Sequence, residues 1–125
     1  MQSENHKKTI YAAILGAGTV GTGVYKLCQE MKSEFVQKTG ADLVVKKVLV
    51  RNASKKREGI EDAVLTDNWK EIIEDPEIDI VIEVMGGIEP ARTYIREALS
   101  KGKHVVTANK DLMATHGHEL LEIAR

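Results

Sequence analysis

The feature that most constrains this chain is a change of apolar period across a cluster of glycines. Thr9 to Leu15 is a short apolar run, rich in residues that favour a pleated strand, and Gly16 bounds it. From Thr19 to Thr39 the period becomes helical. Val20, Val24, Leu27, Met31 and Phe35 recur at spacings of three and four, which builds one apolar stripe. Between the two patterns lies Gly16-Ala17-Gly18-Thr19-Val20-Gly21, a G-x-G-x-x-G that closes a strand and opens a helix. In that context each glycine has a physical role. Gly16 permits the tight turn. Gly18 lacks a β-carbon, so a pyrophosphate can approach the backbone. Gly21 lets the helix pack close to the strand. The free N–H groups of the first helical turn then meet an anion. The same glycines also suit a packed turn without a ligand, so the context carries the reading. Gly23 has no separate role.

The alternation continues along the chain. Gly40 stands where a helix C-cap is expected, and Leu43 to Val50 reads as a second strand. A short third strand is expected over Ala63 to Leu65. Thr66, Asp67 and Asn68 then offer N-cap side chains for a short helix through Trp69, Ile72 and Ile73, closed by Pro76. Ile78 to Val84 is nearly continuous in apolar residues after Asp79, the pattern of a parallel strand covered on both faces. Gly86 and Gly87 break it. Pro90 suits the first turn of a helix whose buried face is Ala91, Tyr94, Ile95, Ala98 and Leu99. Gly102 ends that helix, and His104 to Thr107 is the fifth strand. A last helix is expected from about Asp111 to Arg125, interrupted near Gly117. Strand–helix repetition implies an α/β fold: a Rossmann-type, doubly wound parallel sheet of about five strands with right-handed crossovers.

Composition fits one such domain. The chain has 125 residues, 42% apolar and 30% charged, which argues against disorder. Aromatic residues are only 4%, so the core must be aliphatic. Eighteen Lys and Arg balance nineteen Asp and Glu, and no global nucleic-acid-binding surface is implied. No apolar run is long enough for a membrane span. Residues 1–8 are polar and read as a flexible tail without an apolar signal region, and residues 9–125 as the folded domain. Cys28 is the single cysteine, so a cytoplasmic location is the default.

The candidate site follows from where the strands end. An acidic residue after the second strand would hydrogen-bond an adenosine ribose and favour NAD. Here Arg51 stands there, with Lys55, Lys56 and Arg57 in the same loop. An arginine with local positive charge suits a ribose 2′-phosphate, hence NADP over NAD. The three later residues read equally well as a solvated basic loop. The expectation is that NADPH binds at least as well as NADH. The fourth strand ends in Glu83-Val84-Met85-Gly86-Gly87 and the fifth in Thr107-Ala108-Asn109-Lys110. Both segments fall on the edge of the glycine loop, where ligands of open α/β sheets lie. Lys110 is therefore a candidate cation near a nicotinamide or an acidic substrate. A lysine at a helix start gains nothing from the helix dipole, which disfavours a purely structural role.

With these segments in view, the chain resembles the nucleotide-binding domain of homoserine dehydrogenase. The matching stretches are AILGAGTVGTGV at 13–24, VLVRN at 48–52, DPEIDIVIEVMGG at 75–87 and GKHVVTANKDLMA at 102–114. The combination of E-x-x-G-G with T-A-N-K is the specific part. The resemblance implies reduction of aspartate 4-semialdehyde to homoserine with NADPH or NADH, on the route to threonine and methionine. It implies that Gly16 to Gly21 hold the pyrophosphate, that Arg51 lies by the adenosine ribose, and that Lys110 lies near the cofactor and substrate; Lys55, Gly86 and Gly87 are candidate cofactor residues by their places at the strand ends. It also implies later catalytic and dimerisation regions, often a regulatory one, and hence a homo-oligomeric full-length enzyme acting on a small molecule. None of that later sequence is present, so this chain alone is expected to bind dinucleotide and turn over no homoserine.

Two other readings stand beside it. A dehydrogenase of the glucose–fructose oxidoreductase type also has G-K-H-V before a functional lysine, but usually reads E-K-P where this chain has Ala108-Asn109-Lys110. A non-catalytic dinucleotide-sensing module is the third. No metal site is expected: His116 and His118, two apart on a helix, point to different faces. Cys28 reads as buried and inert, and His104 as structural. Glu71, Glu74, Asp75 and Glu77 read as a solvated acidic run. Glu83, an acid inside an apolar strand, reads as ending at the active edge or as pairing with a neighbour, and the sequence does not decide between the two.

Overall fold

The computed structural model describes residues 8–124, apart from the side chain of Phe35; most of the expected tail, and Arg125, lie outside the described residues. Ten elements alternate: β1 (Lys8–Leu15), α1 (Thr19–Glu30), α2 (Lys32–Thr39), β2 (Ala41–Leu49), β3 (Leu65–Thr66), α3 (Lys70–Ile73), β4 (Ile78–Glu83), α4 (Ala91–Ser100), β5 (His104–Thr107) and α5 (Lys110–Ala124). All pairings are parallel and the strand order is β3-β2-β1-β4-β5. The chain thus winds outward from β1 to β3, then returns to the other side of β1 at β4. Connections diverge at the carboxyl ends of β1 and β4, which opens a crevice there.

Strand β1 explains why so aliphatic a chain folds this way. Ala12, Ala13, Ile14 and Leu15 are all fully buried. Ala13 and Leu15 face one cluster with Ile72, Ile73, Ile78 and Ala98, and Ile14 faces the other with Tyr25, Val45 and Val48. The period-two alternation of the strand feeds two cores at once, so neither face can be polar. A third cluster, Ala91, Ile95, Leu112 and Leu120, joins α4 to α5.

Several sequence expectations shift. Lys8 belongs to β1 rather than to the tail. The single expected helix over 19–39 is two, broken at Met31 (φ −91°, ψ 7°), and Gly40 closes the second in the left-handed conformation at φ +73°. The third strand is Leu65–Thr66, and Asp62–Val64 form a 3-10 turn before it. Helix α5 runs unbroken through Gly117, which is buried; packing against α4 outweighs the helix penalty of about 1 kcal/mol for an interior glycine.

The largest difference concerns the stripe on α1. Val20, Leu27 and Met31 are exposed, while Gly21 and Tyr25 are buried and Val24 and Cys28 pack against the core. The inward positions 21, 24, 25 and 28 keep helical spacing, rotated from the expected face. Gly21 sets the rotation: only its missing side chain lets the helix lie against the Gly16 carbonyl. Cys28 is partly buried rather than enclosed, and burial raises its thiol pKa. The acidic run is not wholly solvated either. Asp75 is half-buried and pairs with Lys46 at 2.7 Å, and the Lys46 hydrogen bond holds its carboxyl below the ordinary range. Among the described residues no helix is long and apolar enough to cross a membrane.

Candidate functional site

The turn after β1 is built from the residues the sequence singles out. Gly16 takes φ +111°, a backbone conformation that favours glycine, and its N–H donates to the Leu49 carbonyl at 2.9 Å. Gly18 precedes α1 and accepts the Thr22 N–H at 2.9 Å. The N–H groups of Thr19, Val20 and Gly21 therefore precede the first intrahelical bond, and no side chain caps them. A β-carbon built on Gly18 would meet nothing within 4 Å, so the space above it is open. A β-carbon on Gly21 would lie 2.1 Å from the Gly16 carbonyl oxygen. One glycine faces a space, and the other closes a packing contact.

A cleft of about 640 Å³ opens at this turn. Gly16, Ala17, Gly18 and Thr22 form its floor, and Leu49 and Val50 continue it to the end of β2. Arg51, Lys55, Lys56 and Arg57 line one side, joined by Glu58 and Asp67. The basic loop thus faces the cleft rather than bulk solvent alone. Met85, Pro90 and Tyr94 line the other side. Tyr94 is stacked on Trp69, with centroids 4.4 Å apart and planes at 22°, and the Trp69 indole N–H donates to Glu97. Sequence reading did not assign Thr22, Asp67, Pro90 or Tyr94 to the site. They sit on four separate elements or loops, and only the sheet order brings them together.

The remaining candidates lie elsewhere. Thr19 and Val20 are exposed on the first turn of α1, and Gly21 is buried beneath it. Gly86 and Gly87 adopt φ +77° and +75° in the loop after Met85, beside the cleft and not among its lining residues. Lys110 is exposed at the first residue of α5, outside the cleft.

The two later loops are joined by side chains that sequence reading left unexplained. Glu83 is fully buried, and its Oε2 accepts the N–H groups of Met85 at 2.9 Å and Gly86 at 3.2 Å. The Thr107 hydroxyl donates to its Oε1. The Asn109 side-chain amide donates to the Gly87 carbonyl at 2.6 Å and lies 3.4 Å from Glu83 Oε2. Asn109 Oδ1 in turn accepts the Leu112 N–H at 3.0 Å, the bond of a helix N-cap. An asparagine directly before an apolar-periodic segment was the available signal for this cap. No sequence signal pairs Glu83 with Thr107.

A doubly wound parallel sheet, with a glycine turn at its switch point and a basic cleft wall, defines a dinucleotide-binding domain. Residues 16–125 match the family described as homoserine dehydrogenase, NAD binding domain, and the chain belongs to that family. The homoserine dehydrogenase of Bacillus subtilis is 47% identical over 119 residues, which are 94% of this chain and 28% of that protein. The enzyme of Corynebacterium glutamicum is 46% identical over 112 residues, 90% of this chain and 25% of that protein. A crystal structure of Staphylococcus aureus homoserine dehydrogenase superposes at TM-score 0.89 with 46% identity, covering 95% of this chain and 30% of that one. A hyperthermophilic archaeal homoserine dehydrogenase in complex with NADPH superposes at TM-score 0.68 with 25% identity, covering 93% and 40%. The chain thus spans less than a third of the length of the relatives it matches in sequence.

Proposed function

We propose that this chain is the dinucleotide-binding part of an enzyme that interconverts aspartate 4-semialdehyde and homoserine, and that it prefers NADPH to NADH. The observation that carries the reading is the cleft at the switch point, with the glycine turn as its floor and Arg51 with Lys55 on its wall. The residues fit the cofactor. The open space over Gly18 and the uncapped N–H groups of α1 suit a pyrophosphate. The guanidinium of Arg51 suits a ribose 2′-phosphate, which it can meet with a planar pair of donors. The NADPH named with the archaeal relative supports the same preference.

The dinucleotide, when bound, supplies the hydride. The protein's share is position and charge. The turn from Gly16 to Gly21 cradles the diphosphate, with the uncapped N–H groups of the first turn of α1 as its donors, and Arg51 and Lys55 neutralise the adenosine end. Gly86 and Gly87 bound the nicotinamide end. Lys110, at the start of α5, offers an ammonium to a carboxylate or oxygen of the substrate, where positive charge stabilises developing negative charge. The other groups that bind substrate, and those that move the proton, belong to a further region of the enzyme.

Titrating the chain with NADPH and NADH by calorimetry tests the cofactor assignment, and NADH binding as tightly as NADPH or more tightly overturns it. Adding homoserine with NADP tests the division of labour. Measurable reduction of NADP by this chain alone would refute the assignment of chemistry to a further region.

A further inference from the structure

We infer that Glu83 is a positioning residue: a buried carboxylate that locks the loop after β4 to the start of α5, and so presets the nicotinamide end of the cleft. The inference deepens the dinucleotide reading above and rests on it for its ligand.

The argument begins with cost. A carboxylate in a fully buried position is expensive unless its oxygens are hydrogen-bonded. No salt bridge reaches Glu83 among the described residues, so its compensation comes from neutral donors. These are the backbone N–H groups of Met85 and Gly86, the hydroxyl of Thr107 and the amide of Asn109. Each donor lies in the loop after β4, at the last residue of β5 or in the loop that follows it. Glu83 and Thr107 are register partners across these strands, so the side-chain bond continues the sheet's own pairing beyond its last rung.

A carboxylate suits this place better than an apolar residue because the loop after β4 turns through two positive-φ glycines. Such a loop has little side-chain packing to define it, and glycines lose more backbone freedom on ordering than other residues. Glu83 Oε2 pins the N–H groups of Met85 and Gly86, and Asn109 pins the Gly87 carbonyl from the other side. Asn109 also caps α5, so Lys110 is held in a fixed relation to Gly87. The adenosine side of the cleft shares none of these bonds. Loss of Glu83 should therefore affect the two ends of a dinucleotide unequally.

The test compares NADPH with 2′,5′-ADP, which carries only the adenosine end. For Glu83→Ala the expected result is about tenfold or greater loss of NADPH affinity with 2′,5′-ADP within about twofold, because the donors that lose their acceptor all lie at the nicotinamide end. Glu83→Gln keeps the shape and one acceptor oxygen, and should recover most of the NADPH affinity. Amide exchange by NMR supplies an arm without ligand: Met85, Gly86 and Leu112 should exchange faster in Glu83→Ala, and Tyr25 and Val48 should not. Should Glu83→Ala fail to fold, Thr107→Val removes the hydroxyl alone and carries the same comparison. Equal loss of both ligands, or no loss of NADPH, overturns the inference. If the wild-type chain binds neither ligand, the dinucleotide reading falls instead, and the exchange pattern still decides whether Glu83 locks the two loops.

Discussion

Gly21 lies so close beneath the glycine turn that a β-carbon on it would stand 2.1 Å from the carbonyl oxygen of Gly16. The obstacle is backbone, not the end of a flexible side chain, so α1 would have to move away from β1. Gly21→Ala should therefore destabilise the fold by about 1–3 kcal/mol or more, the usual range for overpacking. For a domain of this size that is a drop of several degrees in Tm for each kcal/mol lost. Thermal unfolding followed by circular dichroism checks it. An unchanged Tm would mean that the helix does not rest on the turn.

Gly18 makes the opposite prediction. Its φ of −73° is open to any residue, and its β-carbon would meet no protein atom within 4 Å. Gly18→Ala should leave Tm close to that of the wild type. If a diphosphate occupies the space above it, NADPH affinity should fall by about tenfold or more, equivalent to about 1.4 kcal/mol. Calorimetric titration of the folded variant separates the two effects. Undiminished binding would remove the diphosphate from that position.

The contrast between these glycines shows what the sequence made readable. The strand–glycine–helix pattern identifies the turn, the strained backbone of Gly16 and the close contact at Gly21, because local periodicity and backbone sterics decide them. The rotation of α1 was not readable: Val20, Leu27 and Met31 form the stronger apolar stripe, yet Gly21 turns a neighbouring face inward. Nor was the task of Glu83, whose partner Thr107 stands on a strand 24 residues away in the chain. Parallel pairing joins distant segments, and single-sequence patterns carry no signal for which side chains then meet. Tyr94 packs against the core as its place on the α4 stripe implies, and only the sheet order also brings it to the cleft. It is half-buried, stacked on Trp69 and in reach of the cleft.

On the proposed reading Arg51 meets the ribose 2′-phosphate, so its removal should be selective. The side chain is exposed at the end of β2 and lines the cleft. A hydrogen bond to a charged group contributes about 1.5–3 kcal/mol, so Arg51→Ala should weaken NADPH by about 10- to 100-fold. NADH lacks the 2′-phosphate and should change by less than about twofold on the same scale. The NADPH loss should shrink as salt is raised, because an exposed charge contact is screened. Equal effects on the two cofactors would detach Arg51 from the phosphate.

The last prediction concerns acid. Arg92 on α4 donates to both carboxylate oxygens of Glu119 on α5, at 3.0 and 2.9 Å. The Arg92 hydrogen bond holds the Glu119 carboxyl below its ordinary value of 4.5. Asp75 is lowered in the same way by Lys46, from 3.8. A carboxyl whose folded pKa is depressed contributes stability that is present above its unfolded value and disappears as pH falls through the folded one. The wild-type chain should therefore lose stability progressively below about pH 4.5, as these two groups take up protons. Glu119→Gln removes one of the two contributions. It should be less stable than the wild type at neutral pH, and the difference should narrow as pH falls below the ordinary carboxylate values. Urea midpoints measured across that range give the comparison. A difference that stays constant with pH would show that the α4–α5 pair acts through packing rather than through its charge.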